Sequence, residues 1–183
     1  MKNLISSLQH IFGDCKRPNS SNCLVKSSYE TITQRQFFIF DDSKNQEPVR
    51  IVGKRNSYQL VVNNRHKENN EICLIKTDKC LFTDKFKKCD CILFNHNKIF
   101  FVEISEASMS GRNKKRNEAV IQLSTTIQLF NDNNIDLSFY EAYALICIKR
   151  TEPRIPQSSL NSKKEVFREK YQIDLVEGEE ISF

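Results

Sequence analysis

The chain has 183 residues, of which 39% are hydrophobic and 28% are charged, a composition that predicts one folded domain with a sizeable core. The net charge of +5 at pH 7 favours an anionic partner over a cationic one. No stretch approaches the roughly 20 apolar residues of a membrane span, and the N-terminus is too polar for a signal peptide, which excludes a membrane protein. The odd number of cysteines, seven, favours reduced thiols, so we expect a cytoplasmic protein.

The first half of the chain is predicted to be mostly β-structure. Apolar residues at helical spacing predict a short amphipathic helix over residues 1–13, ended by Gly13. From Arg35 onwards, short β-rich runs alternate with polar clusters, which predicts an antiparallel meander entering the sheet. The runs are QFFIF, VRIVG, YQLVV and EICLIKT. Two further runs, CDCILF and KIFFVEIS, flank the turn NHNK and predict a β-hairpin.

The second half is predicted to place helices around a buried strand. One helix covers about residues 113–130, with Ala119, Leu123, Ile127 and Phe130 on one face. The apolar run SFYEAYALICIKR predicts a strand covered on both faces by helices. Another helix near Ser162–Tyr171 precedes a short extended segment. We therefore expect a single α/β (α+β) domain over 1–183 with a mixed sheet flanked by helices. Its parts are a core of about 70–150, an N-terminal helix and meander of 1–70, and a C-terminal helical tail of 151–183.

Two acids, Asp90 and Glu103, interrupt the apolar strands of the predicted hairpin. A turn centred on His96 and Asn97 places them directly across from each other. Cross-strand Cβ atoms are about 4.5–5.5 Å apart, and like charges that close are destabilising unless a cation or proton lies between them. One interpretation is a Mg²⁺ site. The other is that the acids lie at strand ends in water, or that an odd loop length puts them on opposite faces.

Strand alternation also predicts the neighbours of Asp90. It should share a face with Ile92, whereas Cys89 should share the opposite face with Cys91 and Leu93. The two cysteines lack a second ligand pair, so core packing is a better interpretation than a zinc site.

The order of these elements resembles the PD-(D/E)XK nuclease superfamily, which has the restriction-endonuclease-like fold. The resemblance rests on a hairpin bearing an Asp and VEIS, a helix bearing EAVIQLSTTI, and a buried strand, and it covers about residues 70–150. In that superfamily an Asp and a Glu-x-Lys on adjacent strands hold Mg²⁺. The resemblance implies that Asp90 and Glu103 bind Mg²⁺ or Mn²⁺ and that Gln122 lies beside them. It implies a nuclease acting on DNA rather than RNA, in bacterial antiviral defence.

The sequence departs from this pattern at Ser105, which stands where the superfamily has lysine. Serine cannot supply the positive charge that orients water and offsets charge developing on phosphate. Lys88, predicted to face Ser105, and Lys115, on the helix face of Gln122, are candidate replacements.

Three interpretations therefore stay open. An intact site predicts a divalent-metal-dependent nuclease. A degenerate site predicts a pseudo-nuclease that binds nucleic acid or protein, as a defence-complex subunit or an immunity-type protein. The third is a structural protein whose acids pair with Lys88 and Lys98.

Basic residues cluster beside the predicted acid hairpin. The segment GRNKKRN opens the helix that follows the acid strand, so its N–H groups and cations are predicted to face a phosphate backbone. The segments KFKK and KRTEPR add further cations. The candidate nucleic-acid-binding residues are Arg112, Lys114, Lys115, Arg116, Arg150 and Arg154. Whether a homodimer or a protein partner in a defence system completes the active form is not specified by the sequence.

Overall fold

The structure is a computed structural model, and it describes residues 2–16, 27–65, 71–82, 87–106, 111–149 and 158–183. In these ranges the chain is a mixed α+β protein with two mixed sheets flanked by helices. The strands, in chain order, are β1 (Tyr29–Ile32), β2 (Gln36–Phe40), β3 (Arg50–Val52), β4 (Leu60–Asn63), β5 (Ile72–Lys76), β6 (Cys91–Phe94), β7 (Lys98–Glu106), β8 (Glu141–Lys149), β9 (Asp174–Glu177) and β10 (Glu180–Ser182). The helices are α1 (Lys2–Phe12), α2 (Arg112–Asp132) and α3 (Ser158–Tyr171).

The predicted helices are all present. The N–H of Gly13 donates to the carbonyl of Gln9 at 2.8 Å, and the positive φ of Gly13, 76°, is a conformation that glycine adopts without steric cost. The predicted glycine stop of α1 is therefore confirmed. Among the described helices, none combines the length and the apolar character that crossing a membrane requires.

The larger sheet has six strands in the order β1-β5-β6-β7-β8-β9. Its first four strands are antiparallel, whereas β7, β8 and β9 run parallel. Parallel neighbours require a crossover connection, and α2 supplies the one between β7 and β8. This connection packs α2 against one face of the sheet, over the two strands of the acid hairpin, β6 and β7.

Of the four runs of the predicted meander, the last, EICLIKT, enters the larger sheet as β5, whereas the first three do not. Instead, β2, β3 and β4 form a second sheet in the order β10-β4-β2-β3, and β10 adds to it in parallel. Alternation within these strands specifies which side chains are buried, but it does not specify the sheet that they face. The expectation of one mixed sheet is corrected to two.

The larger sheet is covered on both faces, by helices on one and by the second sheet on the other. Phe101 and Leu123 belong to the core on the helix side, whereas Phe37 and Leu93 belong to the core between the sheets. Strand β8 alternates between the two cores, so both of its faces are covered, but one of them is covered by the second sheet and not by a helix as predicted. Burial of each large apolar side chain stabilises the fold by about 1.5–3 kcal/mol.

Candidate active site

Strands β6 and β7 pair in the predicted register. The pairs are Cys91–Val102, Ile92–Phe101, Leu93–Phe100 and Phe94–Ile99. The turn closes where the N–H of Asn95 donates to the carbonyl of Lys98 at 3.0 Å, and the Asn95 side chain accepts hydrogen bonds from the N–H groups of Asn97 and Lys98. The predicted turn centred on His96 and Asn97 is therefore confirmed.

The regular ladder between β6 and β7 ends in a β-bulge at Asp90. The N–H of Asp90 donates to the carbonyl of Val102 at 3.0 Å, although Val102 is already the partner of Cys91. Two residues thus face one, and the bulge shifts the alternation of the strand. Cys89 packs in the helix-side core together with Ile92, so the prediction that it shares a face with Cys91 is wrong.

The two acids meet in spite of the bulge. Oδ2 of Asp90 accepts a hydrogen bond from the N–H of Ile104 at 2.6 Å, which brings the Asp90 carboxyl group beside Glu103. The carboxyl groups of Asp90 and Glu103 also lie close enough for each to affect the pKa of the other. Both side chains are buried, with 7% and 4% of their surface exposed. The structure therefore brings together the two carboxyl groups that the sequence predicted as a pair.

Burial disfavours the charged form of both acids. It raises the pKa of Asp90 well above its usual value, and repulsion from Asp41 raises it further. Burial also raises the pKa of Glu103, with repulsion from Asp90 as the next cause. Because two adjacent buried carboxylates repel each other, the pair retains a proton unless a cation lies beside it.

Helix α2 contacts the acid pair through Gln122. The side-chain amide of Gln122 lies near Glu103 and lowers its pKa, and its Nε2 donates to the carbonyl of Lys88 at 3.0 Å. Oε2 of Glu103, by contrast, is buried and has no hydrogen-bond partner in the described part of the chain. A buried carboxylate oxygen without a partner is energetically unfavourable, so it points to a ligand at this position.

Threonines on either side hold the backbone that carries Asp90. The hydroxyl of Thr126, on α2, accepts a hydrogen bond from the N–H of Cys89 at 2.9 Å. The N–H of Thr77 donates to the carbonyl of Asp90 at 3.1 Å, and the Thr77 hydroxyl donates to the carbonyl of Cys89. These contacts fix the position of Asp90 from two directions.

A cavity of about 350 Å³ opens beside the acid pair. Its lining includes Asp90, Glu103, Ser105 and Gln122. It also includes two residues with a positive φ, Gln46 at 54° and Lys79 at 59°. Non-glycine residues adopt this conformation at a cost of about 1–2 kcal/mol each, and such strain concentrates at functional sites.

Two further acids in the cavity, Asp41 and Asp78, were not predicted from the sequence. Asp41 directly follows β2, and burial raises its pKa to about 7, with repulsion from Asp78 as the next cause. Asp78 lies in the turn between β5 and β6. The sequence does contain a pattern that could have indicated Asp41, because this acid directly follows an apolar strand, just as Asp90 directly precedes one. However, the strand before Asp41 was predicted to lie in the meander, away from the acid hairpin.

The candidate lysines are placed differently from the predictions. The paired ladder stops at Cys91, so Lys88 is not the ladder partner of Ser105; its buried ammonium is 3.0 Å from Oδ1 of Asp78 instead. Lys115 does line the cavity, and its ammonium is 3.0 Å from Glu118. Lys79 also lines the cavity and was missed by the sequence analysis, because it lies in a turn with no recognisable motif. Lys98, proposed as a structural partner of the acids, is 3.9 Å from Glu141.

One predicted nucleic-acid contact is wrong. Arg116 is buried, and its guanidinium binds both carboxylate oxygens of Glu177 at 2.6 and 3.1 Å. It joins α2 to β9 and is not presented to a phosphate backbone. The sequence placed Arg116 on helix α2, but it did not specify which face of the helix carries the side chain.

Other basic residues form a rim near the cavity, which we call the lysine rim: Lys87, Lys114 and Lys115. All three lower the pKa of exposed Glu118, and the hydrogen bond from Lys115 is the largest cause. Arg112 is half-buried, with a buried Nε that has no partner among the described residues. The remaining candidates, Arg150 and Arg154, lie outside the described residues.

Comparison with protein-family models, with curated proteins and with solved structures finds no match to this chain. Within the described ranges, no group of three or more His, Cys, Asp or Glu side chains is arranged as a metal-binding set. The candidate site is therefore centred on a pair of buried carboxyl groups, in a cavity that other acids also line.

Proposed function

We propose that the protein is a Mg²⁺- or Mn²⁺-dependent nuclease with Asp90 and Glu103 as its metal ligands. The observation that carries the proposal is the buried acid pair beside a cavity, in which Oε2 of Glu103 has no hydrogen-bond partner in the part of the chain that the structure describes. The arrangement of an acid hairpin, a crossover helix and a parallel strand supports a restriction-endonuclease-like fold over about residues 70–150. DNA is the proposed substrate, with bacterial defence in the cytoplasm as the setting.

The donors in this cavity fit a divalent cation. Mg²⁺ prefers carboxylate oxygens and is commonly held by one or two acids together with substrate phosphate, so a pair of acids is sufficient on the protein side. A cation would also replace the proton that the pair otherwise retains. When bound, it would supply Lewis-acid stabilisation of phosphate and lower the pKa of water.

Other residues of the chain have separate roles in the proposed reaction. Gln122 lines the cavity beside Glu103, and its amide favours the charged form of that acid. Lys79 and Lys115 line the cavity and are positioned to offset negative charge on a phosphate, in place of the lysine that Ser105 replaces. The lysine rim would hold the flanking phosphate backbone, which makes binding salt-dependent.

The test is cleavage of supercoiled plasmid, linear duplex DNA, single-stranded DNA and RNA with Mn²⁺ or Mg²⁺. We expect cutting of DNA that is abolished by a chelator and reduced at least about a hundredfold by Asp90→Asn or Glu103→Gln, as for loss of a charge-stabilising group. Asp136→Asn, which changes an exposed acid, is the control and should cut normally. Cleavage that persists in Asp90→Asn at the wild-type rate contradicts the proposal.

The second candidate is a pseudo-nuclease that binds nucleic acid or a protein partner without cutting, and Ser105 in the cavity favours it. This protein would bind DNA in a salt-dependent manner, yet it would produce no cleavage under any metal condition. If Ser105→Lys then generates Mn²⁺-dependent cutting, the natural chain is a degenerate nuclease. Cutting by the wild-type protein excludes this candidate.

A further inference from the structure

Asp41 faces the acid pair from the second sheet, and no residue used so far in the proposed function comes from that sheet. It lines the same cavity as Asp90 and Glu103. Among charged side chains, Asp41 has the strongest repulsive effect on Asp90, and it ranks directly after Asp90 in its effect on Glu103. Its carboxylate is thus a close neighbour of both proposed metal ligands.

A buried glutamine holds Asp41 in this position. Oε1 of Gln59 accepts a hydrogen bond from the N–H of Asp41 at 2.9 Å, and Nε2 of Gln59 donates to the carbonyl of Asp41 at 3.1 Å. The same Nε2 lies 3.4 Å from Oε1 of Glu106, at the end of β7. Gln59 therefore fixes the backbone of Asp41 relative to the strand that carries Glu103.

The other cavity acids are paired or exposed, whereas Asp41 is half-buried. Asp78 is bound by the ammonium of Lys88, and Glu106 is exposed. Within the described ranges, no hydrogen bond or ion pair engages the Asp41 carboxylate, and Lys79 is the cation that partly offsets its charge. Asp41 shares its cavity with Oε2 of Glu103, which is buried and has no hydrogen-bond partner among the described residues, and this combination points to a cation between the two acids.

We propose that Asp41 is a positioning residue for the cation, acting from one hydration layer away. This inference rests on the proposed function, because the cation itself is the one assigned to Asp90 and Glu103. Mg²⁺ keeps several water ligands, so an acid beyond direct bonding distance can still bind it by accepting their hydrogen bonds. The second sheet then contributes to metal affinity, although it carries no direct ligand.

The experiment is calorimetric titration of the full chain with Mn²⁺ alone and with Mg²⁺ alone, together with thermal unfolding in a chelator. We expect Asp41→Asn to weaken binding of both ions about tenfold or more, the usual effect of losing an outer-shell partner. In the chelator, the same variant should unfold at a higher temperature than wild type, because a buried repulsion is removed. A purely structural residue would lower that temperature, so the two readouts together identify the role.

The matched control is Asp42→Asn, at the adjacent position, whose carboxylate binds Asn45 and lies 3.6 Å from Arg50. It should bind both ions with wild-type affinity. Asp41→Ser serves as a second variant if the asparagine protein does not fold. Wild-type affinity in Asp41→Asn, with binding lost in Asp90→Asn, overturns this inference and leaves the proposed function intact. Absence of ion binding by the wild-type protein overturns both.

Discussion

Neighbouring charges change the pKa of Asp41. Repulsion from Asp78, Asp42 and Glu106 raises it, and attraction to Lys79 lowers it. Burial, the largest cause, raises its pKa from 3.8 to about 7. Between pH 3.8 and about pH 7, the carboxyl group of Asp41 has lost its proton in the unfolded chain but still retains it in the folded chain. Folding stability therefore falls as pH rises through this window.

We predict that, in a chelator, the free energy of unfolding of the wild-type protein decreases between about pH 4 and about pH 7, and that this decrease is smaller in Asp41→Asn. Urea denaturation at a series of pH values measures it. Asp136→Asn, which alters an exposed acid, should follow the wild-type curve. Parallel curves for wild type and Asp41→Asn would show that Asp41 titrates normally in the folded state.

A second residue-scale prediction concerns the buried ion pair of Arg116 and Glu177, whose side chains are 6% and 5% exposed. Arg116→Met leaves a buried carboxylate without its partner and should lower the free energy of unfolding by about 3–5 kcal/mol. The measurement is urea denaturation.

The control for this prediction is Arg168→Met, because Arg168 forms an ion pair with Asp174 in which the side chains are 72% and 46% exposed. Exposed pairs contribute about 0–1 kcal/mol, so this variant should be almost as stable as wild type. Equal losses in the two variants would mean that burial does not determine the contribution of the Arg116 pair.

At the scale of elements, α2 positions the acid hairpin through its side-chain hydrogen bonds to the segment before β6. Thr126→Val keeps the shape of the side chain but removes the acceptor for the N–H of Cys89, which is buried. We expect a loss of about 1–3 kcal/mol in the free energy of unfolding, the penalty for an unsatisfied buried donor. Urea denaturation measures this loss.

Thr125→Val is the matched control, since Thr125 is the adjacent residue and its hydroxyl donates to the carbonyl of Ile121 on the same helix. Its effect should stay within about 0.5 kcal/mol, as for other surface substitutions. If both valine variants lose the same stability, the helix-to-strand hydrogen bond is not the cause.

Most of the hairpin and its helix could be predicted from local patterns. The turn at His96 and Asn97 sets the register through its loop length, and apolar spacing gives α2 to within two residues at each end. The bulge at Asp90 could not be predicted, because it depends on Thr77 and Thr126, which come from other elements. Likewise, the burial of Arg116 depends on Glu177, 61 residues further along the chain.

At the scale of the whole molecule, the second sheet packs on the first through side chains that include the last residue of this sequence. Phe183 is 4% exposed, and its ring centroid lies 5.2 Å from that of Phe100 on β7. The assignment of β2, β3 and β4 to a separate sheet could not be predicted, because the alternation of buried and exposed residues along a strand is the same in either sheet.

We predict that Phe183→Ala lowers the free energy of unfolding by about 3–5 kcal/mol through the cavity that it creates between the sheets. Phe139→Ala removes a ring that is 81% exposed and should change stability by at most about 0.5 kcal/mol. Thermal and urea denaturation measure both. A small effect of Phe183→Ala would mean that the two sheets are held together without this contact.

The pairing of β10 with β4 has a consequence for protein synthesis. Residues 180–182 pair with residues 61–63, so the smaller sheet stays incomplete on the ribosome until almost all of this sequence has emerged. The acid hairpin and its crossover helix are available much earlier. A nascent chain would therefore carry both proposed metal ligands before the sheet next to Asp41 is finished.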